Sequence, residues 1–304
     1  MLNMSKTIGN VKLPIIYDKD CAEYHRAGHP ERPQRVLGTS TYLRQQKRIA
    51  IDWIKPGLAR TEDLMLAHTK GHIKKVDEPE EDFDGDTAAH DRIGEHARRS
   101  AGASIKALDC AMESECKKAF SLMRPPGHHS TPTQAMGFCY FSNAAIVALL
   151  AQKKEYKKIG IIDFDVHHGN GTEAVVLNKP NIRFASTHQS PCYPGTGLKD
   201  EGNNCYNYPI KPNTPPEEYM KRIIEAINKI EDFDPDLLEI SAGFDAYKHD
   251  PIANELLDTS DFEQIGKILG SNFSQPSIGI LEGGYSDDLP LLVDAFLRGW
   301  LDVN

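Results

Sequence analysis

The sequence has no Cys-x-x-Cys pair, no long apolar run, no internal repeat and no low-complexity tract. Its six cysteines, at 21, 110, 116, 139, 192 and 205, are too scattered for a thiolate zinc finger or a disulfide framework. Reduced thiols and a cytoplasmic protein are the expectation. With no stretch of roughly 18 apolar residues, a membrane-spanning helix is excluded. Met1 to Asp20 lacks the basic-then-apolar layout of a secretory leader. Excess positive charge is also missing: 35 Lys+Arg stand against 44 Asp+Glu, a formal net charge of −9. That balance argues against direct nucleic-acid binding, which needs a basic face.

What is there is ordinary for a soluble globular chain: 304 residues, 39% hydrophobic and 26% charged, enough to bury a sizeable core. Short apolar runs alternate with helical stretches, the pattern of an α/β protein with a mostly parallel sheet. The runs predict strands at Ala119–Met123, Ile159–Phe164, Ile182–Ser186, Leu237–Ser241 and Ser277–Leu281. A helix is predicted over Pro215–Ile230, with Thr214 and Glu217 as a capping box and Pro215 in the first turn. Its apolar face comprises Tyr219, Met220, Ile223, Ile224, Ile227 and Ile230. One domain over 1–304 is the simplest partition.

Twelve histidines include several that cluster with acids. His128-His129, Asp165 with His167, Asp245 and Tyr285 each follow a predicted strand. In open parallel sheets the ligand crevice lies beyond the carboxyl ends of the strands, so four strand ends deliver ionisable groups to one edge. In Asp163-Phe164-Asp165-Val166-His167, a strand continuing through His167 would put Asp163, Asp165 and His167 on one side. Carboxylates and an imidazole there suit zinc or another divalent first-row metal, whereas one Asp-x-His alone would be an ordinary polar strand end. Asp245 alone reads as a cap or turn residue, but beside that cluster it becomes a third ligand. Arg124-Pro125-Pro126-Gly127-His128-His129 fixes adjacent imidazoles whose pKa values should separate, giving a base and an electrostatic helper. Tyr285, on the hinge Glu282-Gly283-Gly284, can aim a hydroxyl at a developing oxyanion.

Together with Gly28-His29-Pro30-Glu31-Arg32-Pro33-Gln34-Arg35 and Gly137-Phe138-Cys139-Tyr140-Phe141-Ser142-Asn143, these segments resemble the zinc-dependent histone deacetylase family. That family includes acetylpolyamine amidohydrolases and shares its fold with arginase. The resemblance runs from about Tyr17 to the C-terminus and implies a three-layer α/β/α fold with a mostly parallel central sheet. It implies Asp165, His167 and Asp245 as zinc ligands, His129 as general base and acid, and His128 as its electrostatic partner. Asp163 would orient His128. Asn170 would partner His129, the neutral choice of the class II deacetylases, and Tyr285 would be the oxyanion donor. Phe138 and Tyr193 would wall a tunnel for the lysine chain beside Gly137. Asp86 would hold the substrate backbone, Ile252 would lie at the rim, and Arg35 would sit at an inner acetate pocket. A monovalent cation, usually potassium, is implied near Asp163, Asp165, His167, Ser186 and Thr187.

The implied activity is hydrolysis of acetyl-lysine in peptides or proteins. Two departures weaken a polyamine substrate: Ile252 stands where one polyamine-specific branch has an acid, and the Tyr17–His29 segment is short. Against them, Glu78 to Asp86 carries six acids in nine residues, which would draw cationic substrates if it rims the mouth. Arginase-like binuclear chemistry needs acids where Gly169 and Tyr247 stand. A non-catalytic acetyl-lysine-binding module would be expected to lose a ligand, a histidine or the tyrosine, and all are present. Cys139 and Cys192 are expected to flank the tunnel.

Overall fold

A computed structural model describes residues 11–154 and 156–302. The strands are β1 (Leu13–Ile16), β2 (Ile51–Ile54), β3 (Lys118–Ser121), β4 (Ile159–Asp163), β5 (Ile182–Gln189), β6 (Cys205–Ile210), β7 (Leu237–Ala242) and β8 (Ser277–Leu281). The α-helices are α1 (Gln34–Gln45), α2 (Thr61–Leu64), α3 (Lys70–Asp77), α4 (Ile93–Glu113), α5 (Asn143–Lys153), α6 (Asn170–Val176), α7 (Pro216–Glu231), α8 (Thr259–Asn272) and α9 (Leu289–Leu301). All eight strands join one sheet in the order β2-β1-β3-β8-β7-β4-β5-β6, and every pairing is parallel. This is the α/β architecture of the arginase/deacetylase fold.

The central strands β4, β7 and β8 are buried along their whole length, as expected of a parallel sheet covered on both faces. Helices α4 and α5 pack on one face, and α7 packs on the other against β4, β5 and β6. On the α7 face, Gly160 leaves room for Ile230 and Gly279 for the Phe120 ring. Phe120, Phe164, Phe244, Phe296 and Trp300 are fully buried and in edge, tilted or, for Phe296 and Trp300, stacked ring contact, and α8 and α9 close over them.

Five predicted strands are present, β8 with the predicted ends and the other four with one or both ends shifted, while β1, β2 and β6 were not anticipated. The capping box predicted for α7 does not form. Pro215 itself occupies the cap position, so Thr214 lies one residue too early, and its hydroxyl donates to the Lys211 carbonyl (2.6 Å). Ile224 is only half-buried on that helix, and Ala226 takes the inward position. Nor does β4 run on through His167: it stops at Asp163, and the chain bends through Asp165, Val166 and His167.

Candidate active site

The carboxyl ends of β3, β4, β7 and β8, the four middle strands, open onto a cavity of about 370 Å³. His29, Pro30, Asp86, His129, Gly137, Phe138, His167, Cys192, Tyr193, Ile252 and Tyr285 line it. Of the sequence-predicted residues, Asp86, His129, Gly137, Phe138, His167, Tyr193, Ile252 and Tyr285 reach this space directly. His128, Asp163, Asp165, Asn170 and Asp245 stand behind them.

Because β4 ends at Asp163, Asp163 and Asp165 take different tasks. The Asp163 carboxylate meets His128 Nδ1 at 3.0 Å, and its other oxygen accepts from the Asp165 amide (3.1 Å). Asp165, His167 and Asp245 form a separate cluster: all three are buried, and their potential ligand atoms lie within 4.8 Å of one another. His167 Nδ1 is 3.1 Å from both Asp165 Oδ1 and Asp245 Oδ2. Burial, with Asp165 alongside, pushes the Asp245 carboxyl up to about 6. Two carboxylates and an imidazole crowded out of water are a donor set that suits a divalent cation. Glycine makes the crowding feasible, since a Cβ at Gly283 would collide with both Asp245 and Asp165.

The adjacent imidazoles of His128 and His129 have ring centroids 4.0 Å apart. Burial opposes a charged His128, but Asp165 and Asp163 outweigh it and push His128 up to about 10. Burial, then the positive charges of His128 and His167, hold His129 well below its ordinary value. His129 Nδ1 is 2.8 Å from Asn170 Oδ1. The pair is thus split into one cationic and one neutral ring.

Tyr285 is 6% exposed, and its amide donates to Asp250 Oδ2 (2.7 Å). The rings of Phe138 and Tyr285 meet edge-on at 5.7 Å, and that of Tyr193 meets His129 edge-on at 5.1 Å. Phe138 takes a left-handed backbone (φ 68°), held by its amide donating to Thr87 Oγ1 (3.0 Å). Gly137, also left-handed, leaves no room for a side chain between His129 and Tyr193.

Arg35 lies off the cavity lining, beneath Tyr285. Its guanidinium donates to the carbonyls of Gly284 (2.6 Å) and Glu282 (2.5 Å) and sits 4.7 Å from the Tyr285 ring centre. Asp163 and Ser186 are register partners in β4 and β5, and Thr187 Oγ1 reaches the Asp163 carbonyl at 3.5 Å. Cys192 lines the cavity, whereas Cys139 is wholly buried behind it.

Sequence reasoning missed several supports. Asp84 accepts from the amides of Asp86 (2.9 Å), Thr87 (2.5 Å) and Gly137 (3.3 Å). Asp82 pairs with Arg26 (2.8 Å). Two of the six loop acids are therefore engaged within the protein. Glu31 and Arg124 form a buried ion pair at 2.6 Å under the histidine loop. The bonds of Asp84 to Asp86 and Thr87 are local to the loop, but its bond to Gly137 and the pairs Asp82–Arg26 and Glu31–Arg124 join segments distant in sequence.

Comparison with known proteins agrees with this geometry. The histone deacetylase domain profile matches residues 29–298. A probable deacetylase of Archaeoglobus fulgidus is 33% identical over 292 residues, covering 90% of this chain and 81% of the relative. A histone deacetylase-like amidohydrolase of Pseudomonas aeruginosa is 33% identical over 282 residues, covering 86% and 73%. The crystal structure of the HDA15 HD domain superposes with a TM-score of 0.88 at 30% identity, covering 94% of this chain and 90% of that one.

Proposed function

The chain belongs to the histone deacetylase family, and on that premise we propose that it is a zinc-dependent deacetylase of N-ε-acetyl-lysine in peptides or proteins. The observation that carries this reading is the cavity itself: Phe138, Tyr193 and Gly137 form a narrow wall that ends on His129, His167 and Tyr285. Zinc held by Asp165, His167 and Asp245 would polarise the acetyl carbonyl and make water a nucleophile near neutral pH.

The remaining chemistry belongs to side chains of this chain. Phe138 and Tyr193 hold the lysine methylenes between their rings and keep bulk water out. Neutral His129, oriented by Asn170, accepts the proton of the attacking water. Cationic His128, held by Asp163, stabilises the negative charge that develops beside it. The Tyr285 hydroxyl donates to the tetrahedral oxyanion. A protonated histidine then passes its proton to the leaving amine. Asp86, exposed and lining the cavity, accepts from the substrate backbone, and Arg35 borders the route by which acetate departs. A potassium ion beside Asp163, Asp165, His167, Ser186 and Thr187 would brace the ends of β4 and β5. Six free thiols support a cytoplasmic setting.

Acetylated polyamines are the second reading, favoured by Asp86 and the acidic loop behind it. Ile252 on the rim and the engagement of Asp82 and Asp84 with protein partners weigh towards peptides. Parallel turnover of an acetyl-lysine peptide and N-acetylputrescine by zinc-loaded protein tests the choice. Faster peptide turnover supports the first reading, and faster polyamine turnover supports the second.

A further inference from the structure

Glu282 directly follows β8, and its side chain is wholly buried. Its Oε2 accepts from the amides of Gly127 (2.7 Å) and His128 (3.1 Å). Those two amides belong to the loop that follows β3, where no neighbouring strand offers an acceptor. Buried amides left without one would give up their hydration with no hydrogen bond to offset it. Glu282 also shares a potential ligand cluster with His128 and Cys139. The Cys139 thiol of that cluster is kept protonated by burial and donates to the Gly137 carbonyl (3.3 Å), so the cluster offers no thiolate.

The backbone around Glu282 is equally fixed. Its amide donates to the Ala242 carbonyl (2.9 Å), and its carbonyl accepts from Arg35. The Gly283 amide donates to Asp165 Oδ2 (2.7 Å), and the Tyr285 amide to Asp250. One residue therefore joins the turn that carries Tyr285 to the loop that carries His128 and His129. We propose that Glu282 is a positioning residue for the deacetylation: its carboxylate holds the histidine loop in register with the tyrosine turn. It acts through hydrogen-bond acceptance, not charge.

This inference rests on the deacetylase reading above, and its test separates the two. Glu282→Gln keeps an acceptor oxygen, and Glu282→Met keeps the volume without one. The expected result is a kcat for Glu282→Gln within about threefold of the parent and for Glu282→Met lower by about 10²-fold, the scale of a small misplacement of reacting groups. KM and zinc content should stay unchanged in both. Amide hydrogen exchange should show Gly127 and His128 protected in the parent and Glu282→Gln and unprotected in Glu282→Met. If Glu282→Met does not fold, Glu282→Asp, which withdraws the acceptor by one methylene, replaces it with the same expectations. Glu282→Gln as slow as the variant without the acceptor would overturn the proposal, as would full activity in that variant. Were the parent itself inactive on every acetylated substrate, the deacetylase reading would fail while the exchange data still decided the clamp.

Discussion

At the scale of single residues, the buried pair Glu31–Arg124 shows how the site is held from below. Burial alone would raise the Glu31 carboxyl, but Arg124 outweighs it and holds it at about 2, against an ordinary 4.5. The unfolded chain therefore takes up this proton at a higher pH than the folded one. The pair's contribution is full above about 4.5 and is lost as pH falls towards about 2. Glu31→Gln leaves Arg124 buried and unpaired, which should cost about 3–5 kcal/mol near neutral pH. Urea unfolding at several pH values checks this: the gap between parent and variant should narrow on acidification below about 4.5, and a constant gap would contradict the pairing. Gly137 gives a second expectation. A Cβ there would stand 2.8 Å from the Tyr193 ring and closer still to His129, on a backbone with φ +55°. Gly137→Ala should lower kcat/KM by about 10²-fold by displacing the His129 ring, with folding retained by circular dichroism. Of the side chains that line the cavity, His129, His167 and Tyr285 were legible from the residue types of their own short motifs, whereas Asp86, Gly137, Phe138, Tyr193 and Ile252 followed only from the family resemblance. Asp84, Asp250, Glu31 and Glu282 were not legible in these roles: the partners that tie them to the site, Gly137, Tyr285, Arg124 and Gly127, lie 35 to 155 residues away and leave no local spacing to read.

At the scale of elements, Glu239 stands out in the middle of β7. The register sets Leu238 beside Gly160 on the α7 face, so Glu239 faces the layer of α4 and α5. It is fully buried, and neither carboxylate oxygen has a partner among the described residues. Burial raises its pKa well above the ordinary value, so it is protonated in the folded protein. That state costs stability increasingly as pH rises above about 4.5, where the unfolded chain releases the proton. Glu239→Leu should stabilise the protein by about 1–3 kcal/mol at pH 7, and the gain should shrink towards pH 4.5. A lower Tm for the variant at pH 7 would show that the carboxyl has a use. Helix starts were read less well than strands. The capping box expected at Thr214 fails because Pro215 takes the cap, while a real box at the start of α8 pairs Asp258 with Asp261. An Asp at both ends lacks the usual Ser/Thr and Glu signature. Pro14 interrupts β1 and the exposed Asp52 interrupts β2, and the Tyr-Asn-Tyr-Pro run in β6 has the polar, proline-bearing character of an edge strand.

At the scale of the whole molecule, the strand order explains why residues from four distant segments meet. The chain leaves β3, and its next strand, β4, lies beyond β8 and β7. The connections therefore diverge around a crevice at the carboxyl edge, where ligands bind in open α/β sheets. The sequence placed the ionisable residues at this edge from strand ends alone. It did not give the strand order, since adjacency in a parallel sheet depends on crossovers that leave no periodic trace. Stability should also respond to the whole site. A cation that binds only the folded state stabilises it by about 2.7 kcal/mol at a hundredfold excess over Kd. Chelation should therefore lower Tm and zinc should restore it, while Asp245→Ala should be insensitive to both. The most direct test of the central claim is turnover of an acetyl-lysine peptide by zinc-loaded protein, beside chelated protein and Tyr285→Phe. The account predicts turnover that stops on chelation, returns with one zinc per chain, and falls by about 10²–10³-fold in the tyrosine variant. Full turnover by either the chelated protein or Tyr285→Phe would contradict it.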